Sequence, residues 1–318
     1  MTTDDKNSLG VCHSVTITCI SELGWHDTDR MLADIQGSGG PDASQWDKPW
    51  QADNAAGSAA LVEVELLDGS RHKFLLDCGW NEAYMQRRFE ETGVDDMLAR
   101  GEIEFLFLSH EHLDHLWGLQ VVLRHRPDLP LRVPPNLTEQ ALAFIRGERP
   151  ASTRTDSTPL IRHTGPLLVT PPDRPTVLYP GCVAVGYVAV PPLLGIRGEQ
   201  SLYFRVRDQG TVCATGCCHQ TVTALADYAL THIASESTLY GLYGGLHIAP
   251  FGPTLSPEQA RMIADMGRFG FRKIAANHCT GVPAIERMID LGYPVVRGSG
   301  QGSSNPLMLG NGDSVVFD

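Results

Sequence analysis

The sequence predicts an α/β sandwich: two mixed sheets packed face to face, with helices on the outside. Three observations predict it. β-Branched and apolar runs form two mostly β blocks, one from Val11 to Asp77 and one from Thr176 to Ala214. Each block is followed by segments that alternate between helical and strand patterning. Hydrophobic residues make up 42% of the 318, enough to fill a large core.

The elements follow in order. Val11–Ile20 (VCHSVTITCI) is rich in β-branched residues and reads as a first strand. Residues 24–57 carry glycines, prolines and three tryptophans, Trp25, Trp46 and Trp50. Irregular stretches of that length are uncommon unless functional, so this one reads as a loop insertion beside the site, a lid or dimer arm. Ala59–Leu67 and Lys73–Asp77 flank Asp68-Gly69 as a β-hairpin. A helix is expected over Glu82–Arg100, a buried strand over Ile103–Leu108, a helix over His115–His125, a strand over 130–136 and a helix over 137–147. Residues 148–175, rich in Pro, Thr and Arg, read as a surface loop. After the second β block come a helix at Gln220–His232, a strand at Ser237–Tyr243, a helix at Ser256–Phe269 opened by Ser-Pro, a strand at Lys273–Ala276 and a helix at Pro283–Leu291. The whole of 1–318 reads as one domain.

Composition narrows the function. The net charge is −12. A binder that tracks nucleic-acid phosphates needs a basic surface, so nucleic acid is excluded as a partner. No run approaches the roughly 18 apolar residues of a membrane helix, so no membrane partner is expected either. The eight cysteines (Cys12, Cys19, Cys78, Cys182, Cys213, Cys217, Cys218 and Cys279) are dispersed and mostly lie in apolar runs. The opening MTTDDKNSLG has neither a basic nor an apolar leader segment. Reduced thiols in a cytoplasmic protein are expected, with Cys217–Cys218 unbridged.

The chemistry is concentrated in Ser109-His110-Glu111-His112-Leu113-Asp114-His115, directly after an apolar strand. Neutral imidazole and carboxylate suit zinc, and also iron or manganese. A loop leaving a strand end can turn such neighbours inward, His110 and His112 toward one ion, Asp114 and His115 toward a second.

At these residues the sequence resembles the metallo-β-lactamase superfamily, whose H-x-H-x-D-H signature His110, His112, Asp114 and His115 match position for position. Leu75–Gly79 resembles its earlier L-D-x-G strand end. Glu199–Leu202, Thr215–His219, Gly244–His247 and His278–Gly281 resemble the E-Q-S-L, T-G-C-x-H, G-G-x-H and H-C-T-G turns of the subgroup named for 7,8-dihydropterin-6-methyl-4-(β-D-ribofuranosyl)aminobenzene-5′-phosphate synthase. The resemblance covers about 58–300 and implies the αββα fold. It implies His219 as third ligand of the first metal and His278 as last ligand of the second. Where many binuclear members place a bridging aspartate, this chain has Cys217, either a ligand or a packing residue, which leaves one metal or two.

The resemblance implies a metal-dependent hydrolase using Zn2+, with Mn2+ or Fe2+ as alternatives, and a metal-activated hydroxide. Asp114 would orient that hydroxide and carry its proton besides ligating, and Asp77 would hydrogen-bond the ligand shell. His247 is the candidate proton donor to the leaving group, with substrate binder, ligand or plain loop histidine also open. Trp25, Trp46, Trp50 and Trp80 suggest an aromatic pocket wall. The expected partner is therefore a small aromatic or heterocyclic substrate: a pterin-like or cyclic phosphate, a lactone or amide, or a haloaromatic. A homodimer is expected. Two other classes stand beside this one, a single-iron oxidoreductase such as a sulfur dioxygenase and a non-catalytic ligand binder. Gly298–Ser304 reads as a turn before an anion cradle, and Arg197, Arg205 and Arg207 as solvated before phosphate-binding. His26 is a lesser candidate in the tryptophan-bearing stretch.

Overall fold

A computed structural model describes residues 6, 8–154, 157–188, 193–300, 302 and 305–318. The strands are β1 (Ser14–Ser21), β2 (Ala59–Glu65), β3 (Arg71–Leu76), β4 (Leu106–Phe107), β5 (Leu131–Val133), β6 (Leu167–Val169), β7 (Thr176–Tyr179), β8 (Cys182–Val188), β9 (Gly198–Val206), β10 (Gly210–Thr215), β11 (Gly241–Gly245), β12 (Lys273–Asn277) and β13 (Ser314–Phe317). The α-helices are α1 (Thr28–Gly37), α2 (Glu82–Thr92), α3 (Val94–Ala99), α4 (Leu113–Leu116), α5 (Leu119–His125), α6 (Glu139–Ile145), α7 (Val222–Tyr228), α8 (Pro257–Asp265) and α9 (Val282–Asp290).

One sheet runs β13-β1-β2-β3-β4-β5-β6 and the other β12-β11-β10-β9-β8-β7. Both are mixed. β3 to β6 are parallel in the first, and β10 to β12 in the second. Alternation in β2 shows why the layers stack as they do. Ala60, Val62 and Val64 point into the core between the sheets, while Leu61 points outward under the helices. Phe74, Phe107, Leu202, Phe204 and Val212 complete the inner core. A second core lies beneath α1, α2, α3, α5 and α6, and a third beneath α7, α8 and α9. Two sheets with helices outside is the architecture expected, because strands apolar on both faces need a partner layer on each.

Several expectations need correction. The 24–57 stretch is not irregular throughout. The Asp27 side chain accepts from the Arg30 amide to cap α1, whose Met31 and Ile35 bury one face, and a 3-10 turn spans Gln45–Asp47. The helix expected over 82–100 is two helices, because Gly93 (φ 73°) ends α2 in the left-handed conformation that favours glycine. The helix expected over 115–125 begins earlier, at Leu113, and breaks between Leu116 and Leu119. A Cβ at Gly118 would lie 2.1 Å from the Cys78 carbonyl oxygen, so only glycine lets α4 and α5 approach the β3 end. The 237–243 strand slips to 241–245, which places His247 just beyond it. Residues 148–175 include β6.

Candidate metal centre

The parallel strands set the site. Within three residues of the carboxyl ends of β3, β4, β10, β11 and β12 come Asp77, His110, Cys217, His247 and His278. All five ends open toward the same rim of the sandwich. The backbone turns sharply there: Asp77 (φ 63°), Cys218 (61°), His247 (46°) and His278 (51°) all adopt the left-handed conformation. Each such non-glycine residue costs about 1–3 kcal/mol, and such strain gathers at functional sites.

His110, His112, Asp114, His115, His219 and His278 are brought together by this arrangement, and His247 stands at their edge. His110 Nε2 lies 3.0 Å from His112 Nδ1. The ring centres of His219 lie 4.8 Å from His110 and 4.9 Å from His112. His115 Nε2 lies 3.7 Å, and His278 Nε2 3.3 Å, from Asp114 Oδ2. Cys217 is the hub. Its Sγ belongs to three sets whose donor atoms all lie within 4.8 Å of one another: with His110 and His219, with His115 and His278, and with His247 and Cys279. The expectation of a loop presenting Asp114 and His115 is corrected, since both sit in the first turn of α4.

An outer layer of hydrogen bonds aims the rings. Asp77 accepts from the Ser109 amide (2.6 Å), from Ser109 Oγ (2.7 Å) and from His115 Nδ1 (2.7 Å). Ser109 Oγ is also 2.8 Å from His110 Nδ1. His112 Nε2 faces the Leu193 carbonyl at 2.8 Å, and His278 Nδ1 the Glu22 carbonyl at 2.9 Å. Glu199, fully buried on β9, accepts from the amides of Cys218 (2.8 Å) and His219 (2.7 Å). Each histidine so held turns its other nitrogen inward, as metal-ligand second layers do.

Burial, then the surrounding imidazoles, hold His110 well below the usual histidine range. Burial takes His112 down to about 3, with His219 adding to it. Burial and then His247 hold His219 well below. All three are therefore neutral at pH 7, with lone pairs free. The other half of the site is charged. Burial pushes the Asp114 carboxyl up, but His115 and His278 outweigh it and hold it well below the carboxylate range. Burial lowers His278, but Cys279 and Asp114 outweigh it and raise it to about 10. Among the buried nitrogens, His219 Nε2 and His247 Nδ1 have no hydrogen-bond partner, while His219 Nδ1 and His278 Nε2 stand 3.3 Å from the carboxylates of Glu199 and Asp114. Leaving such groups unpaired costs about 1–3 kcal/mol each. Unpaired inward lone pairs beside imidazole, carboxylate and thiol donors are what a divalent cation requires, so the residues fit a metal.

Above the donors lies a cavity lined by Trp25, Met31, Leu113, Leu193, Leu194 and Phe251 together with His112, Asp114, His247 and His278. Trp25 stacks on Phe251 at 5.3 Å. The expected aromatic wall is corrected here: Trp46, Trp50 and Trp80 are buried core residues, and Trp46 packs on Trp117 at 5.0 Å. Three other candidates lie off the site. Arg205 donates to the Lys6 and Gly10 carbonyls and to Ser235, Arg207 is exposed beside Asp208, and exposed His26 packs edge-on against Tyr84. The 298–304 turn falls partly outside the described residues, and its Ser299 amide donates to Asp313. Sequence reasoning missed Cys279, whose Sγ lies 3.3 Å from that of Cys217, and gave Glu199 no role.

Residues 55–210 match the family model of the metallo-beta-lactamase superfamily. The matched segment is just under half of the chain, and the two-sheet fold that holds it is the one the H-x-H-x-D-H resemblance implied. Over 258 residues the chain is 22% identical to 7,8-dihydropterin-6-methyl-4-(beta-D-ribofuranosyl)-aminobenzene-5′-phosphate synthase of Methanocaldococcus jannaschii, covering 72% of this chain and 82% of that one. A solved metal-dependent hydrolase of the beta-lactamase superfamily superposes over 95% of this chain and 98% of its own, with a TM-score of 0.55 at 17% identity. No helix among the described residues is long and apolar enough to cross a membrane.

Proposed function

We propose that the protein is a metal-dependent hydrolase of small, largely apolar substrates, working with one or two zinc ions. One observation carries the reading: the partnerless buried Nε2 of His219 and the Asp114-paired Nε2 of His278 converge with His110, His112 and His115 beneath an apolar cavity. His110, His112 and His219 form the first position. Asp114, His115 and His278 form the second, with Cys217 between them. A divalent cation in such a set supplies an acidified water and a Lewis-acidic contact for the substrate oxygen.

The chain's own residues do the rest. Asp114, its side chain 9% exposed at the cavity floor, accepts the proton of the attacking water and orients it. His247 lines the same cavity with an unpartnered Nδ1, placed either to give a proton to the leaving group or to ligate. Trp25 and Phe251 offer a stacked aromatic wall for a ring. The described residues lining the cavity include no lysine or arginine. That favours a lactone, cyclic amide or haloaromatic ring over a phosphate ester, which would want a cationic partner. A reducing cytoplasmic setting agrees with eight buried free cysteines, and sedimentation velocity tests the homodimer.

Elemental analysis coupled to a hydrolase panel of lactones, haloaromatics and phosphodiesters tests the reading. Zinc co-purifies, a chelator abolishes turnover, and zinc or manganese restores it. Full activity in metal-free protein overturns it. Iron with substrate-dependent oxygen uptake transfers the site to the oxidoreductase class.

A further inference from the structure

We propose that Cys279 and His247 extend the centre into a thiolate-rich position, where Cys217, Cys279 and His247 together hold a thiophilic divalent cation. The inference rests on the metal-centre reading and goes beyond it in the ligands it names.

Three observations carry it. The Sγ atoms of Cys217 and Cys279 stand 3.3 Å apart although 62 residues separate them in sequence, and all eight cysteines are free. Thiolates sharing one tetrahedral zinc at about 2.3 Å per bond sit roughly 3.8 Å apart, so a shift of about half an ångström admits an ion. His247 Nδ1 has no hydrogen-bond partner, and its donor atom lies within 4.8 Å of both sulfurs. The backbone is cleared for the thiol as well. A Cβ at Gly245 would come within 2.7 Å of Cys279 Sγ and 3.1 Å of His278 Cδ2, so the glycine at the β11 end makes the room that brings this sulfur to the centre.

A thiol that merely filled the core would have no reason to meet both a second sulfur and an imidazole whose Nδ1 has no partner. The site is softer than the imidazole face next to it. Thiolates select zinc, cadmium or cobalt over manganese and magnesium. Because Cys217 is shared with the His110–His219 and His115–His278 sets, its sulfur bridges between positions.

Cobalt reports this directly. Reduced apoprotein is titrated with Co2+ alone and its absorption followed from the near ultraviolet to the visible. The expected result is a near-ultraviolet thiolate-to-cobalt band together with visible ligand-field bands. Cys279→Ser and Cys217→Ser each remove about half of the near-ultraviolet intensity, one thiolate of two, and leave the visible bands in place. The selectivity for Cd2+ over Mn2+, read by competition, falls by at least about 10-fold in Cys279→Ser. Visible bands without a thiolate band, or a thiolate band that Cys279→Ser leaves intact, overturn the proposal while sparing the metal centre. No cobalt absorption at all overturns both. Cys279→Ala gives the same readout if the serine variant fails to fold, with circular dichroism as the check on folding.

Discussion

Asp77→Asn isolates the positioning of the centre from its ligands. The carboxylate is 1% exposed and accepts three hydrogen bonds, one on Oδ1 from the Ser109 amide and two on Oδ2 from Ser109 Oγ and His115 Nδ1. Asparagine tolerates the left-handed backbone at this position as well as aspartate does, so the substitution adds no backbone strain. Keeping the amide oxygen on the Ser109 N–H turns its NH2 toward Ser109 Oγ and His115 Nδ1. His115 must then present an unprotonated Nδ1 and carry its proton on Nε2, the nitrogen that faces Cys217 at 3.1 Å. Ser109 Oγ, now accepting from the amide, donates to His110 Nδ1 and moves that histidine's proton inward too. One substitution thus blocks an inward lone pair on each side of the centre. The expected costs are about 1–3 kcal/mol of folding stability and about 10- to 100-fold in zinc affinity. Urea denaturation of the apoprotein gives the first. Competition against a chromophoric chelator gives the second. Wild-type zinc affinity and stoichiometry in the variant would refute the reasoning, even if stability fell.

Two other outcomes are expected. In Gly24→Ala the new Cβ would stand 2.8 Å from both Asp114 Oδ2 and His278 Cε1, so the variant should fold yet retain less metal per chain, with elemental analysis after gel filtration as the check. In alkali, burial pushes the Cys12 thiol from 9.0 up to about 12, and burial raises Cys213 in the same direction. The unfolded chain releases these protons first, so the stability they contribute is whole below pH 9 and is lost as pH rises from 9 toward 12, at about 1.4 kcal/mol per pH unit for each thiol. Urea midpoints that stay flat from about pH 8.5 to 10.5 would contradict this.

The parts of the site that were legible in the sequence were local. His110, His112, Asp114 and His115 lie within one short run behind an apolar strand, and neighbours in the chain are neighbours in space. The two-layer core was legible for the same reason, because period-two patterning in β2 and β3 declares which face each residue takes. His219 and His278 entered only through resemblance. Their approach to His110 depends on how β10 and β12 stack against β4, and spacing along the chain carries no such distance. Cys279 was missed on the same ground, since only the folded sheet sets it against Cys217. The missed helix α1 is a different failure. Asp27 and the Met31–Ile35 spacing were readable, but the surrounding glycines and tryptophans drew the stretch toward a loop. Of those tryptophans, Trp46 and Trp50 seal the core beneath the site, and Trp25 faces the cavity.

The placement of the donors gives the centre a second consequence. His110, Asp114 and His115 follow β4 in one sheet, while Cys217, His219 and His278 follow β10 and β12 in the other. An ion shared between them would be a staple across the mouth of the sandwich, fastening two layers that otherwise adhere through an apolar core and a few hydrogen bonds such as Gln200 Nε2 to the Leu108 carbonyl at 2.7 Å. Loading at 100 times its dissociation constant would add about 2.7 kcal/mol to the folded state. The chain would then gain its rigidity and its reactivity from the same ion, and starving it of metal would loosen the rim where substrate enters before it unravelled the barrel-thick core behind.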